Sequence, residues 1–272
     1  MNKILIINDI PSYGKVASSA ITPVLSSMGY NLSTLPTALV SNVLDFGKFE
    51  IMDLSEYMKK TISIWENLNF KFDCIYTGFI SSDEQFEIIG DYIKKNNNNE
   101  FVIIDPVMGD DGYIYPGLSS NLVRNMKNFI KYAHLITPNL TEAAYLLDKD
   151  PSSLILDEEE IKNWILQLKD MGPNSVVITS VRLKDDSSYY VYGYDNNVKD
   201  FFKVSYEYVD IRFPGTGDVF ASKLIGEILN NNSLEESCKI ASNFVRNAID
   251  ESLKYDYRFE EGMQLEKVLL HN

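Results

Sequence analysis

Phe101-Val102-Ile103-Ile104-Asp105-Pro106-Val107-Met108-Gly109-Asp110-Asp111-Gly112 is the stretch from which the rest of the chain is read. Its first part is a short, unbroken apolar run rich in β-branched residues. Such a run reads as a strand buried on both faces, since a half-exposed strand would alternate apolar and polar positions. It ends abruptly on three carboxylates and two glycines. In open α/β sheets ligands bind beyond the carboxyl ends of the strands, so the acidic cluster stands where a site belongs. Taken alone, the tract is also compatible with an acidic surface loop.

Outward from it, runs of the same kind occupy residues 3–7, 32–39, 74–77, 134–137 and 175–179, with the central one at 101–105. Amphipathic segments separate them. Ser82-Asp83-Glu84-Gln85 has capping-box spacing ahead of Phe86, Ile88 and Ile89, and Ser233-Leu234-Glu235-Glu236 repeats it ahead of Ile240, Phe244 and Ala248. Residues 158–171 carry Ile161, Trp164, Ile165 and Leu168 at helical spacing and stop at Gly172-Pro173. The tyrosine-rich stretches 189–194 and 201–208 read as antiparallel strands added at one edge. This alternation predicts a three-layer α/β/α fold with a central, mostly parallel sheet. No repeat and no Pro/Gly/Ser linker appears, so residues 1–272 are expected to form one domain. Residues 96–99, all asparagine, read as a solvated loop.

Composition narrows the function. With 25 Lys+Arg against 39 Asp+Glu the formal charge is −14, which disfavours nucleic acid and anionic membranes as partners. The hydrophobic fraction of 45% is that of a globular protein, and no apolar run approaches the roughly 18 residues of a membrane span. A cytoplasmic location is expected. Cys74 and Cys238 form no CxxC and read as buried small residues; His134 and His271 cannot supply HExxH. Asp45-Phe46-Gly47 spells a protein-kinase motif without its catalytic loop, no GxxxxGK[ST] occurs, and the Asn139-Leu140-Thr141 sequon has no meaning in the cytoplasm.

Three further tracts end strands or open helices. Pro214-Gly215-Thr216-Gly217-Asp218 precedes the amphipathic run 219–229, so its glycines sit at a helix N-terminus. Unpaired amides and the helix dipole suit a phosphate or a developing oxyanion there, and an aspartate in the first turn can accept a proton from a hydroxyl held beside it. On its own, Gly-Thr-Gly is equally a simple turn. Thr137-Pro138-Asn139-Leu140-Thr141-Glu142 opens a helix and fits plain capping as well as ligand binding. Thr179-Ser180 closes a strand with two hydroxyls. Carboxylates crowded near a polyphosphate call for hydrated Mg²⁺ between them.

In order, these four tracts resemble the ribokinase-like superfamily and, within it, the vitamin B6 (pyridoxal/pyridoxamine) kinases. Asn8-Asp9-Ile10-Pro11-Ser12-Tyr13-Gly14, Leu35-Pro36-Thr37-Ala38 and Tyr76-Thr77-Gly78-Phe79 strengthen the likeness, which runs over essentially the whole chain. The resemblance implies ATP-dependent phosphorylation of the 5′-hydroxymethyl of a B6 vitamer, with Mg²⁺, room for a monovalent cation such as K⁺, and a homodimer. By the same resemblance Asp218 is the general base, and the amides of Gly215, Thr216 and Gly217 receive the transferring phosphoryl group. Asp105, Thr137 and Glu142 match cation positions, Asp110 matches the one near the phosphates and Mg²⁺, and Thr179 and Ser180 match nucleotide contacts. Asp9, Ser12, Ser41 and Tyr76 match the ring pocket, and Tyr115 matches an aromatic on the closing flap. One departure stands out: where many B6 kinases carry a polar pair, this chain has Val43-Leu44. A hydroxymethylpyrimidine kinase shares the Gly-Thr-Gly-Asp logic, and a non-catalytic ligand sensor is the reading from another class. No Lys or Arg is among the residues assigned to the phosphates, which implies that activity needs a divalent metal.

Overall fold

The computed structural model describes residues 2–96, 100–152, 154–184, 186 and 188–270; residues 97–99 of the expected asparagine loop, and His271, lie outside them. The strands are β1 (Lys3–Pro11), β2 (Asn31–Val40), β3 (Ile51–Asp53), β4 (Cys74–Thr77), β5 (Phe101–Ile104), β6 (Gly109–Asp110), β7 (Tyr113–Ile114), β8 (Leu135–Ile136), β9 (Ile155–Leu156), β10 (Ser175–Leu183), β11 (Tyr189–Asp195) and β12 (Asp200–Tyr206). The helices are α1 (Ala17–Ser27), α2 (Ser55–Asn67), α3 (Asp83–Asn96), α4 (Leu122–Phe129), α5 (Leu140–Leu146), α6 (Glu158–Asp170), α7 (Thr216–Leu229), α8 (Leu234–Ser252) and α9 (Leu265–Leu269).

Ten strands form one sheet in the order β12-β11-β10-β8-β5-β4-β1-β2-β3, with β9 beside β10. Pairing is parallel from β2 through β10 and antiparallel at both edges, β10-β11-β12 on one side and β2-β3 on the other. The tyrosine-rich antiparallel edge is as expected; β3 was not.

The period of two along the strands assigns each residue to a layer. Leu5, Ile7, Ile75, Val102, Ile104, Ile136, Val176 and Ile178 pack under α2 to α6, while Ile4, Ile6, Cys74, Tyr76, Ile103, Leu135 and Val177 pack under α1, α7 and α8. Both faces are buried, which is why these strands read as unbroken apolar runs. Both cysteines are free and buried in the second layer.

Capping is partly as the spacing predicts. Asn139 and Asp157 form reciprocal boxes with Glu142 and Glu160. Ser233 makes only its own half, with Glu236 turned to Lys239. The box expected at Ser82 is replaced: buried Gln85 accepts from the Ser81 amide and donates to the Thr37 carbonyl, tying α3 to β2.

Candidate active site

The carboxyl ends of β1, β5, β8 and β10 open onto a cavity of about 910 Å³. Two strands distort at this rim. The β1-β2 register shifts between Asn8 and Ile10, and the β10-β11 register shifts between Ile178 and Val181, where Ser180 has a φ of 59°. Bulges re-aim side chains. Asp9 and Thr179-Ser180 thereby line the cavity, and β10 runs on to Leu183, beyond the end expected at Thr179.

The cavity floor is the N-terminus of α7. Gly215 is its N-cap with a φ of 82°, a conformation L side chains rarely adopt. The first intrahelical bond runs from the Val219 amide to the Gly215 carbonyl, so the amides of Thr216, Gly217 and Asp218 precede the helix's own ladder. A Cβ on Gly217 would meet nothing within 4 Å, so a ligand can approach this backbone closely. Asp218, in the first turn, accepts the Ala17 amide at 2.8 Å on Oδ2. Burial pushes its carboxyl up to about 6, offset by the Ala17 amide and the Asn8 side chain.

Around Asp218 stand further buried carboxylates. Asp105 is raised to about 7 by burial and by Asp218, and the Tyr76 hydroxyl donates to its Oδ2 at 3.1 Å. Asp9 is raised to about 7 for the same two reasons. Glu142 lies well above the usual carboxylate range through burial and the charge of Asp105. Its two oxygens accept the amides of Met108 at 3.0 Å and Asn139 at 2.9 Å, so the group that caps α5 also holds the loop after β5. The Thr137 hydroxyl, buried without a hydrogen bond of ordinary geometry, lies beside Asp105 and draws it down. Among the described residues, no side-chain cation is a leading influence on Asp9, Asp105, Glu142 or Asp218.

The hairpin β6-β7 covers one side. Asp111 and Gly112, with φ of 51° and 84°, make its two-residue turn, the Asp-Gly pairing that tight hairpins favour. It docks on α5 through Asn139 Nδ2 to the Gly109 carbonyl, the Gly112 amide to Thr141 Oγ1, and the Tyr145 hydroxyl to the Gly112 carbonyl. Asp110 and Tyr115 face the cavity from its two arms.

The structure thus brings Asp9, Asp105, Asp110, Tyr115, Thr137, Glu142, Thr179, Ser180, Gly215, Thr216, Gly217 and Asp218 to one cavity. Three expected residues do not line it. Tyr76 is fully buried beneath it, its hydroxyl on Asp105. Ser41 Oγ donates to Asn42 Oδ1 and accepts the Glu50 amide, spending its hydroxyl within a turn. Ser12 is exposed, its amide on the Val40 carbonyl. Nor do the expected cation positions form a chelate: among the described residues no three of His, Cys, Asp or Glu converge to hold an ion.

Several cavity residues were not anticipated. Arg182, Arg212 and Arg246 line it, although no Lys or Arg was among the residues expected at the phosphates. The Arg212 guanidinium pairs with Asp111 at 2.9 Å and Asp45 at 3.5 Å. Asn8, buried, accepts the amides of Phe79 at 2.8 Å and Asp9 at 2.9 Å. Val43 and Leu44 do line the cavity, and Val43 packs where a Cβ on Gly14 would stand 2.2 Å from its Cγ2.

The phosphomethylpyrimidine kinase family profile matches residues 25–262. The chain belongs to this family. It is a kinase, ribokinase-like in fold, of the group that holds pyridoxal and hydroxymethylpyrimidine kinases. A crystal structure from Bacteroides thetaiotaomicron, described as a putative phosphomethylpyrimidine kinase in a form with pyridoxal, is 37% identical with a TM-score of 0.94, over 99% of this chain and 95% of that one. Pyridoxal kinase PdxY of Corynebacterium diphtheriae is 25% identical over 94% of this chain and 91% of its own length. The thiamine biosynthetic bifunctional enzyme of Arabidopsis thaliana is 30% identical over 78% of this chain, which spans only 38% of that longer protein. Among the described residues no helix of this kinase is long and apolar enough to cross a membrane.

Proposed function

We propose that the chain phosphorylates the hydroxymethyl group of a B6 vitamer with ATP, Asp218 acting as general base. The observation that carries this reading is the pairing of a first-turn carboxylate with free helix amides on one cavity floor. Asp218 takes the hydroxyl proton, the alcohol oxygen bonds to the γ-phosphorus, and the bond from that phosphorus to the β,γ-bridging oxygen breaks, releasing ADP. The amides of Gly215, Thr216 and Gly217 hold the transferring group, since phosphoryl transfer is mainly positioning and charge stabilisation. A base whose carboxyl lies near 6 is ionised at neutral pH yet basic enough to share a proton.

The donor set suits a hard divalent cation. Buried carboxylates that no side-chain cation among the described residues offsets are what hydrated Mg²⁺ would relieve. When bound, Mg²⁺ would screen the polyphosphate. Asp105, Asp110 and Glu142 would hold it, while Thr179 and Ser180 contact the nucleotide. The pyridoxal form of the Bacteroides relative supports the vitamer as substrate.

Hydroxymethylpyrimidine is the second reading, and one feature favours it: Val43 and Leu44 present an apolar wall where a polar pair would otherwise discriminate among ring substituents. A coupled ADP-release assay with pyridoxal, pyridoxamine, pyridoxine and hydroxymethylpyrimidine tests both. Turnover is expected with at least one vitamer, abolished by excess chelator and restored by Mg²⁺. Turnover with the pyrimidine alone would replace the substrate assignment, and turnover undiminished in chelator would overturn the phosphate placement.

A further inference from the structure

One construction behind the α7 N-terminus takes no direct part in the transfer chemistry. The Lys15 carbonyl is enclosed between two glycines of positive φ: a Cβ on Gly215 would stand 2.4 Å from it, and a Cβ on Gly262 would stand 2.6 Å from it. Gly262 belongs to the segment between α8 and α9. The Lys15 amide donates to the Glu261 carbonyl at 2.7 Å, and Lys15 and Gly262 pair as an isolated parallel bridge. The Tyr13 hydroxyl donates to Glu261 Oε1 at 2.7 Å, and the Lys15 ammonium pairs with Glu266. The segment is anchored by the fully buried Met263, and its Phe259 ring lies 5.0 Å from Phe213, just ahead of Pro214-Gly215. Two residues after Lys15, Ala17 holds a φ of 48° while its amide bonds Asp218. A non-glycine residue keeps such a conformation only where its surroundings over-determine it.

We propose that residues 259–265 are a positioning strap for the transfer site, gripping the Lys15 peptide between Gly262 and Gly215 and so holding the Ala17 amide on the Asp218 carboxylate. The strap touches no substrate; it acts through Lys15 and Ala17. The inference rests on the reading of Asp218 as the base. It assigns a role in turnover to a segment remote in sequence from the four tracts that carry the chemistry.

The test is steady-state kinetics of Gly262→Ala in the full chain, with hydrogen exchange read on residues 12–17. The expected result is a kcat lowered about tenfold or more with the KM for nucleotide changed less than about twofold, the split that follows when transition-state geometry is lost but binding is kept. Exchange at residues 12–17 should accelerate. If Gly262→Ala does not fold, Tyr257→Phe removes only the hydroxyl that holds the Gly262 carbonyl at 3.0 Å and should move kcat and exchange the same way to a smaller extent. A folded variant with wild-type kcat and unaltered exchange overturns the proposal. So does a variant whose loss appears wholly as a raised nucleotide KM. Should the wild type turn over no alcohol at all, the kinase reading fails by itself. Exchange then decides the strap alone: acceleration at residues 12–17 in the variant supports it and wild-type protection refutes it.

Discussion

Ile104 and Asp105 are adjacent and almost equally buried, yet they belong to two different regions of the molecule. Up to Ile7, Ile104, Ile136 and Ile178 the sheet is mainly apolar and buried on both faces. Immediately beyond lie Asn8-Asp9, Asp105, Thr137 and Thr179, with carboxylates held far above their ordinary range. The interior stabilises the fold by burial; the rim opposes it, because unpaired charge is desolvated there. A protein retains such a rim because the site needs it, at a cost in stability.

Substitutions can separate the two regions. Ile6→Ala, in the fully buried interior, should cost about 2–5 kcal/mol in urea unfolding while the folded fraction keeps its nucleotide KM. Gly217→Ala should do the reverse. Its new methyl clashes with nothing, and alanine suits a helix better, so Tm should hold or rise while kcat falls about 10²-fold as the transferring group is displaced. A Gly217→Ala variant with normal turnover would remove the anion hole from these amides.

Asp105→Asn should stabilise the metal-free fold by about 1–3 kcal/mol at about pH 8. The sign follows from the raised carboxyl: with a folded value about 7 against an ordinary 3.8, its favourable contribution is full below the unfolded value and lost as pH rises through about 7. Asparagine suffers no such loss, so the gap between variant and wild type should close toward about pH 4. Thermal melts in chelator across that range check this, and a destabilised variant at pH 8 would mean that Asp105 is compensated. Smallest is Val43→Ser, which should change the ratio of kcat/KM among vitamers several-fold while leaving the best substrate's kcat within about threefold.

The interior was legible because both-face burial writes itself as unbroken apolar runs, and β4 lies over residues 74–77 as read. The rim tracts were legible because chemistry concentrates at strand ends. What escaped notice depends on distant partners or on very short elements. β3 and the arms of the hairpin are too brief for periodicity, although Asp111-Gly112 carries a turn signal. Arg212 is set among Asp45 and Asp111 by tertiary contact alone, and no local spacing reveals it. Tyr76 sits in the correct strand, but the inward phase of that strand puts its hydroxyl under Asp105 rather than in the cavity. β10 outruns its expected end because a bulge absorbs Thr179-Ser180.

Asp218 is proposed to take the substrate proton on a floor of free amides. Single-turnover ADP formation by wild type and Asp218→Asn, with saturating pyridoxal, ATP and Mg²⁺, tests it most directly. The wild-type rate should fall as pH drops through about 6, where the carboxyl becomes protonated. The variant should be about 10² to 10⁴-fold slower with nucleotide binding retained. A variant within tenfold of wild type, or a wild-type rate that does not decline below pH 6, would contradict it.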